Sequence, residues 1–302
     1  MFGRIIDLGL GKKYASATKR LINKDGSFNI VKRGRRPRFY DTYQYLSRLS
    51  TGKLLLLILS VYLLVNTAFA LLYLWCGLEN LRGTDATIPP FLNAFFFSVQ
   101  TFTTVGYGVL APYGMATNLV VTLESLLGWV GFALIAGVVF GRFSRPNVRI
   151  LYSNNAVIAP GAGGGRTLQF RLANKRSNVL MEMEARVLLM LEGPNYNRYY
   201  YNLKLEQATL HFFPLEWTVV HHIDEESPLY NVSPEQLQAQ RAEVLISVKG
   251  YDEAFGQNIH SRFSYTPDEI LWNFRFKRAY DTDAEGRIIL NLHRLHETEP
   301  VF

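Results

Sequence analysis

Residues 91–108 read FLNAFFFSVQTFTTVGYG, and the fold turns on how they are read. The first part, residues 91–102, is apolar but too short to cross a bilayer, which takes roughly 20 residues for some 30 Å of hydrocarbon. Flanked by longer apolar stretches, it is expected to be a re-entrant helix. It runs directly into Thr103, Thr104, Val105, Gly106, Tyr107 and Gly108. Glycines at alternate positions permit backbone dihedrals closed to other residues. Irregular backbone at membrane depth is tolerable only where it is buried in protein or lines a water-filled path.

The flanking stretches are residues 54–78 (LLLLILSVYLLVNTAFALLYLWCGL), with no charged residue, and residues 115–141, whose one charge is Glu124. Each is long enough to span. Tyr73 and Trp75 stand where interfacial aromatics of the first span would sit. Gly128, Gly131, Gly137 and Gly141 in the second allow close helix approach and bending. Glu124 would be costly against lipid, so it should face protein or water and make a structural hydrogen bond near the bundle interior; ion binding is the alternative.

Outward from the spans, charge gives orientation. Of 302 residues, 48% are hydrophobic and 19% charged, with a net charge of +7. Residues 1–53 alone hold thirteen basic and three acidic side chains, a surplus larger than that of the whole chain. Arg142, Arg145 and Arg149 follow the second span, whereas the loop between the spans holds Glu79, Arg82 and Asp85. Both termini are therefore expected in the cytoplasm, in a multi-pass protein of the cell's inner (plasma) membrane. No nucleic-acid motif accompanies the basic surplus, so nucleic acid is not an expected partner. Cys76 is the only cysteine, which excludes an intrachain disulfide. The first apolar stretch lies too far in and is too long for a secretory signal.

Before the first span, Phe39, Tyr43, Leu46 and Leu49 recur at helical spacing, which predicts a short amphipathic helix on the inner membrane surface. Beyond Pro146 the period changes to two. Leu168, Phe170 and Leu172 alternate with Gln169 and Arg171; Val244, Ile246 and Val248 form a second run; Ile270, Trp272, Phe274 and Phe276 form a third. Such runs separated by turns imply a β-sandwich. Ser233, Pro234 and Gln236 mark one short capped helix. The expected organisation is an N-terminal segment (residues 1–38), a surface helix and pore domain (39–141) and a β-sandwich domain (142–302).

Thr104-Val105-Gly106-Tyr107-Gly108 resembles the selectivity filter of potassium channels, for which TVGYG is the known signature. The physical need is plain. A dehydrated K+ requires a cage of oxygens, supplied by carbonyls along an extended segment and by the Thr104 hydroxyl at its inner end. Tyr107 is expected to turn its ring outward and brace the filter on the pore helix. One chain supplies one wall, so the channel would be a homotetramer with K+ as its permeant ion and metal ligand, and no cofactor.

Further stretches resemble the inward-rectifier potassium channels, above all their bacterial members. Residues 24–30 (KDGSFNI) look like the family's N-terminal strand motif, residues 142–146 (RFSRP) its basic join, and residues 165–174 (GRTLQFRLAN) an early strand of its cytoplasmic domain. Residues 221–230 (HHIDEESPLY) are the most specific match there, followed by residues 250–256 (GYDEAFG) and 269–272 (EILW). The resemblance implies a two-helix pore with a cytoplasmic immunoglobulin-like β-sandwich. It also implies a gate at Phe140, a narrowing loop with Gly250, Tyr251 and Gly256, and flexible points at Gly128 and Gly137. An apolar ring at Phe140 could close by dewetting.

The chain departs from the family in informative places. Phe132 occupies the cavity position where strong rectifiers hold an acid, and Lys249 replaces a glutamate before the narrowing loop. Both weaken the electrostatic case for strong block by polyamine or Mg2+; Ba2+ is a further expected pore blocker. Gln100 and Val109 replace a Glu and Arg that pair behind the filter in animal members. Cys76 alone cannot form the outer-loop bridge of those members.

Other constellations read plainly. The glycine run 161–165 precedes strand-like sequence, not the helix a phosphate site needs, so it reads as a turn. His221 and His222 point to opposite faces of a strand and make a poor metal pair. Asp224, Glu225 and Glu226 read as a solvated or capping cluster. No arrangement argues for hydrolysis, and an enzyme is not expected. Lys53, Arg142, Arg145 and Arg149 are candidates to bind an anionic membrane lipid that biases the gate, with Arg35, Arg36 and Arg38 beside them. Two other readings remain: a channel driven by voltage or by a nucleotide domain, and a membrane-anchored receptor whose β-sandwich binds a ligand.

Overall fold

The computed structural model describes residues 4–5, 9, 20–31, 33–34, 39–143, 149–161 and 164–301. It divides into two compact units. One holds residues 34–145; the other combines residues 1–33 with 146–302.

The first unit is helical. Helix α1 (Phe39–Arg48) leads to α2 (Thr51–Cys76), a re-entrant α3 (Pro90–Phe102) and α4 (Met115–Phe143). Helices α2 and α4 are apolar along most of their length, yet only 22% and 11% of their most apolar windows are buried. A core helix of a soluble protein would be mostly covered, so these are membrane spans. Tyr73 is no interfacial anchor: it is buried against Phe97, while Trp75 stays exposed. The cause is polar, because its hydroxyl has a buried acceptor in Glu124. Helix α3 starts with Pro90 at a position whose N–H would be unpaired in any case. The loop before it is tied down by buried Asn93, which donates to the carbonyls of Asp85 (2.8 Å) and Ile88 (3.0 Å) and accepts from the Asp85 N–H. The loop ends close on a two-residue pairing of Leu81–Arg82 with Ala111–Pro112.

The second unit is a sandwich of a six-stranded and a five-stranded sheet. In the first, the central strands Leu180–Glu192 and Glu243–Asp252 pair antiparallel, flanked by Arg198–Leu203 and Gln257–Tyr265. In the second, Arg166–Asn174 lies between Ala156–Pro160 and Glu216–Ile223. Leu168, Phe170 and Leu172 meet Val187, Leu189, Val244, Ile246 and Val248 in one core, as the period of two requires. The third sequence run is not one strand. Asn273 adopts φ +59°, which splits it into Ile270–Trp272, parallel to Ala156–Pro160, and Phe274–Phe276, paired with Thr298–Pro300. Ser233 caps Pro234–Ala239 in a full capping box with Gln236.

Residues 24–30 form a turn instead of a strand. Gly26 has φ +78°, and a single bridge joins Ile22 to Phe28. Leu21 and Ile22 are buried with Met190, Tyr200 and Leu245, and their N–H groups donate to the buried Glu243 carboxylate (2.7 and 3.2 Å).

Candidate functional site

The 103–108 segment leaves the C-terminal end of α3 without regular secondary structure. Its start is held by main-chain bonds. The N–H groups of Val105 and Gly106 both donate to the Gln100 carbonyl (3.0 and 3.3 Å), and that of Thr104 donates to Thr101 (3.0 Å). Positive φ falls on alternate residues: Thr104 at +58°, Gly106 at +53° and Gly108 at +83°. Gly106 and Gly108 take this conformation at no steric cost. Thr104 takes it at a cost of about 1–3 kcal/mol, the kind of local strain that functional segments carry. The glycines were legible in the sequence; the strained threonine was not. The open space around both glycines and the exposure of Val105 (52%) and Tyr107 (76%) show that a single chain leaves this segment uncovered. Tyr107 thus lacks the expected brace from its own chain's pore helix.

Behind the segment lies a buried polar cluster. Glu124 of α4 is fully buried, within hydrogen-bond reach of the Tyr73 hydroxyl of α2 and the Ser98 hydroxyl of α3. Ser98 also reaches the amide oxygen of buried Asn66 (3.1 Å). Sequence reading anticipated an inward Glu124 but missed Asn66, Tyr73 and Ser98. Their common signal is a polar group set inside an apolar run.

On α4, Phe132 and Phe140 are both 74% exposed. Gly128 and Gly137, paired in the sequence reading, differ in surroundings. A Cβ on Gly128 would stand 2.3 Å from the Phe102 carbonyl oxygen, whereas Gly137 faces open space. Beside the end of α4, Arg142 donates to the Leu49 carbonyl (2.6 Å) and the Thr51 hydroxyl (3.1 Å). That guanidinium is already engaged at the corner between α1 and α2. Lys53 is exposed in the first turn of α2, and Arg149 is exposed in the other unit. Arg35, Arg36, Arg38 and Arg145 lie outside the described residues.

The 250–256 stretch is a hairpin tip. Gly250 lies at a bulge near the end of strand Glu243–Asp252, and the Asp252 carboxylate accepts from the N–H of Ala254 (3.1 Å). Gly256, at φ +61°, turns the chain back. Gly250 sits in a crowded place, since a Cβ would meet Met183 Sδ at 2.2 Å and the Met181 carbonyl oxygen at 3.2 Å. Lys249 pairs with Glu184 (2.6 Å), and Lys249 and Arg186 together hold the Glu184 carboxyl below its usual range. His221 and His222 do face opposite ways. His221 is buried between the Lys204 carbonyl (2.7 Å) and Ser227 (2.8 Å), and His222 is exposed beside Glu206. Asp224 accepts from the Glu226 N–H, closing a turn. At the glycine run, Gly161 donates to the Gly165 carbonyl (2.7 Å) between the paired strands Ala156–Pro160 and Arg166–Asn174; residues 162 and 163 lie outside the described residues.

Residues 150–302 match the family model for the inward rectifier potassium channel C-terminal domain, and residues 57–145 match that for ion channels. The inward rectifier potassium channel Kirbac3.1 of Paramagnetospirillum magnetotacticum is 39% identical over 296 residues, covering 95% of this chain and 98% of its own. Human inward rectifier potassium channel 4 is 29% identical, covering 82% of this chain and 64% of its own. Mouse G protein-activated inward rectifier potassium channel 2 is 26% identical, with coverage of 93% and 72%.

Proposed function

Because this chain belongs to the inward-rectifier potassium channel family, a family of channels and not of enzymes, we propose that four copies form a tetramer conducting K+ through Thr104, Val105, Gly106, Tyr107 and Gly108. The observation that carries this reading is the positive φ at Thr104, Gly106 and Gly108, directly after a re-entrant helix between two spans. Such alternation turns successive peptide planes so that carbonyls can gather along one side. The exposed filter and the thin cover on α4 suit a surface completed by neighbouring copies.

In this proposal the β-sandwich (residues 142–302) and both termini are cytoplasmic, and the pore domain (39–141) lies in the cell's inner membrane. Phe140, exposed near the inner end of α4, supplies the constriction. Gly137 supplies the bend, because a Cβ there would meet no neighbouring element of its own chain within 4 Å. The hairpin tip with Gly250, Tyr251 and Gly256 narrows the cytoplasmic pathway. Phe132 gives the cavity no charge, and Lys249 shares the single Glu184 carboxylate with Arg186, so no surplus negative charge gathers there, and block by Mg2+ or polyamine is weak while Ba2+ blocks at the filter. Anionic lipid acts through Lys53, Arg145 and Arg149, with Arg142 linking the α1–α2 corner to the gate helix. Flux unchanged by anionic lipid content, in wild type and in an Arg145→Ala variant, would remove the lipid part.

The reading is tested by K+-driven uptake into liposomes holding purified tetramers, with Na+ competing and Ba2+ as blocker. Selective, Ba2+-sensitive uptake that vanishes in Gly106→Ala supports it. Verified tetramers that stay silent across lipid compositions would favour the membrane-anchored receptor instead.

A further inference from the structure

Three oxygen-to-oxygen contacts run through the buried cluster behind the filter: Tyr73 to Glu124, Glu124 to Ser98, and Ser98 to Asn66. Each contact needs one proton. Tyr73 and Ser98 each supply one. The orientation of Asn66 is fixed independently, because its Nδ2 donates to the Tyr62 carbonyl (2.8 Å), which has no proton to give. Its Oδ1 therefore faces Ser98 and can only accept. If Ser98 spends its proton on Glu124, the Ser98–Asn66 contact sets two lone pairs against each other at 3.1 Å. If Ser98 spends it on Asn66, Glu124 must supply the proton for its own contact with Ser98.

The charged groups nearby do not alter this count. Helix α3 has none, α2 has Lys53 at its far end, and α4 has Arg142 at its far end. Arg82, in the loop, stacks over the Tyr113 ring at 4.1 Å. A carboxylate fully buried at membrane depth without a cation beside it is a costly arrangement; a carboxylic acid is not.

We propose that Glu124 is held as a neutral carboxylic acid and completes a one-way donor chain, Tyr73 to Glu124 to Ser98 to Asn66, that joins α2, α3 and α4 behind the filter. Glu124 is then a positioning residue. Ser98 lies one turn before Phe102, where α3 hands over to the filter, and Gly128, one turn beyond Glu124, touches the Phe102 carbonyl. The chain sets the seat of the pore helix and, through it, the spacing of the filter. The selectivity part of this inference rests on the channel reading; the proton does not.

The test uses full-length tetramers and two readouts. An infrared difference spectrum of wild type against Glu124→Gln should lose a protonated-carboxyl stretch; loss of a carboxylate band instead overturns the proposal. Glutamine can donate to Ser98 and accept from Tyr73, so Glu124→Gln should keep K+ uptake and K+/Na+ selectivity within about twofold of wild type. Ser98→Ala breaks the chain and should lower selectivity by about tenfold, the equivalent of one hydrogen bond. Should Glu124→Gln lose selectivity while Ser98→Ala keeps it, the charge and not the donor chain is what matters, and the proposal fails. Wild-type tetramers without uptake would count against the channel reading alone, since the infrared result would still report the proton.

Discussion

Gly128 of α4 lies directly against the main-chain carbonyl of Phe102, the last residue of α3. A side chain at that position has no room, and the obstructing atom is backbone that cannot rotate away. Family resemblance marks Gly128 and Gly137 alike as flexible points, but only Gly137 is free to serve as one. Gly128 is there so that α4 and the end of α3 can touch.

Substitution should separate the two glycines. Gly128→Ala overpacks a fixed contact and should cost about 1–3 kcal/mol, seen as a lower melting temperature of the tetramer and reduced assembly. Gly137→Ala meets no atom within 4 Å. It should leave the melting temperature unchanged or slightly raised by helix propensity, while shifting open probability in bilayer recordings. Equal loss of stability in both variants would contradict the assignment.

Glu243 should act as the anchor of the N-terminal segment. Its carboxylate, 1% exposed, accepts from the N–H groups of Leu21 and Ile22. Arg20 adds bonds to the Ser264 carbonyl and Glu269, and Lys24 pairs with Glu269 at 2.9 Å. Glu243→Ala removes the acceptor for two buried donors and should cost about 2–3 kcal/mol. Limited proteolysis would then cut the chain near residue 20 faster than in wild type. An unchanged cleavage rate would show that Leu21 and Ile22 hold the segment by burial alone.

His221 gives the β-sandwich a pH dependence. Burial pushes its pKa below the ordinary value of 6.5. Its Nδ1 donates to the Lys204 carbonyl, and its Nε2 accepts from Ser227, so the neutral ring fits both partners. Near and below pH 6.5 the unfolded chain binds a proton that the folded chain refuses, so stability rises with pH in this window. The contribution is whole above the unfolded value and is lost as pH falls through it toward the folded pKa. Thermal melts of full-length tetramers between pH 7.5 and 5 should show this slope, and His221→Gln should flatten it. A slope that survives the substitution would assign it elsewhere.

Much of this architecture was legible because the bilayer and the sheet impose strong periods. Lengths of apolar sequence marked α2, α3 and α4 within a few residues, and alternation marked the strands around Phe170 and Ile246. The capping residues at Ser233 were equally direct. What escaped depends on tertiary partners or on single dihedrals. Asn273 breaks a run that alternates from Trp272 to Phe276, because one residue at positive φ leaves no trace in hydrophobic periodicity. Tyr73 had the composition of an interfacial aromatic, and only the placement of Glu124 on another helix draws it inward. Arg142 looked like a free lipid contact until its carbonyl partner, far away in sequence, came into place. The TVGYG motif was recognised; the strain at Thr104 had to be seen.

In the proposed tetramer Thr104, Val105, Gly106, Tyr107 and Gly108 line a K+-selective path. Its most direct test is the reversal potential of single channels in a planar bilayer with K+ on one side and Na+ on the other. A K+-selective filter gives a reversal potential near the K+ equilibrium value, Ba2+ block, and no such current from Gly106→Ala. Currents that reverse near zero, or a Gly106→Ala channel as selective as wild type, would contradict it.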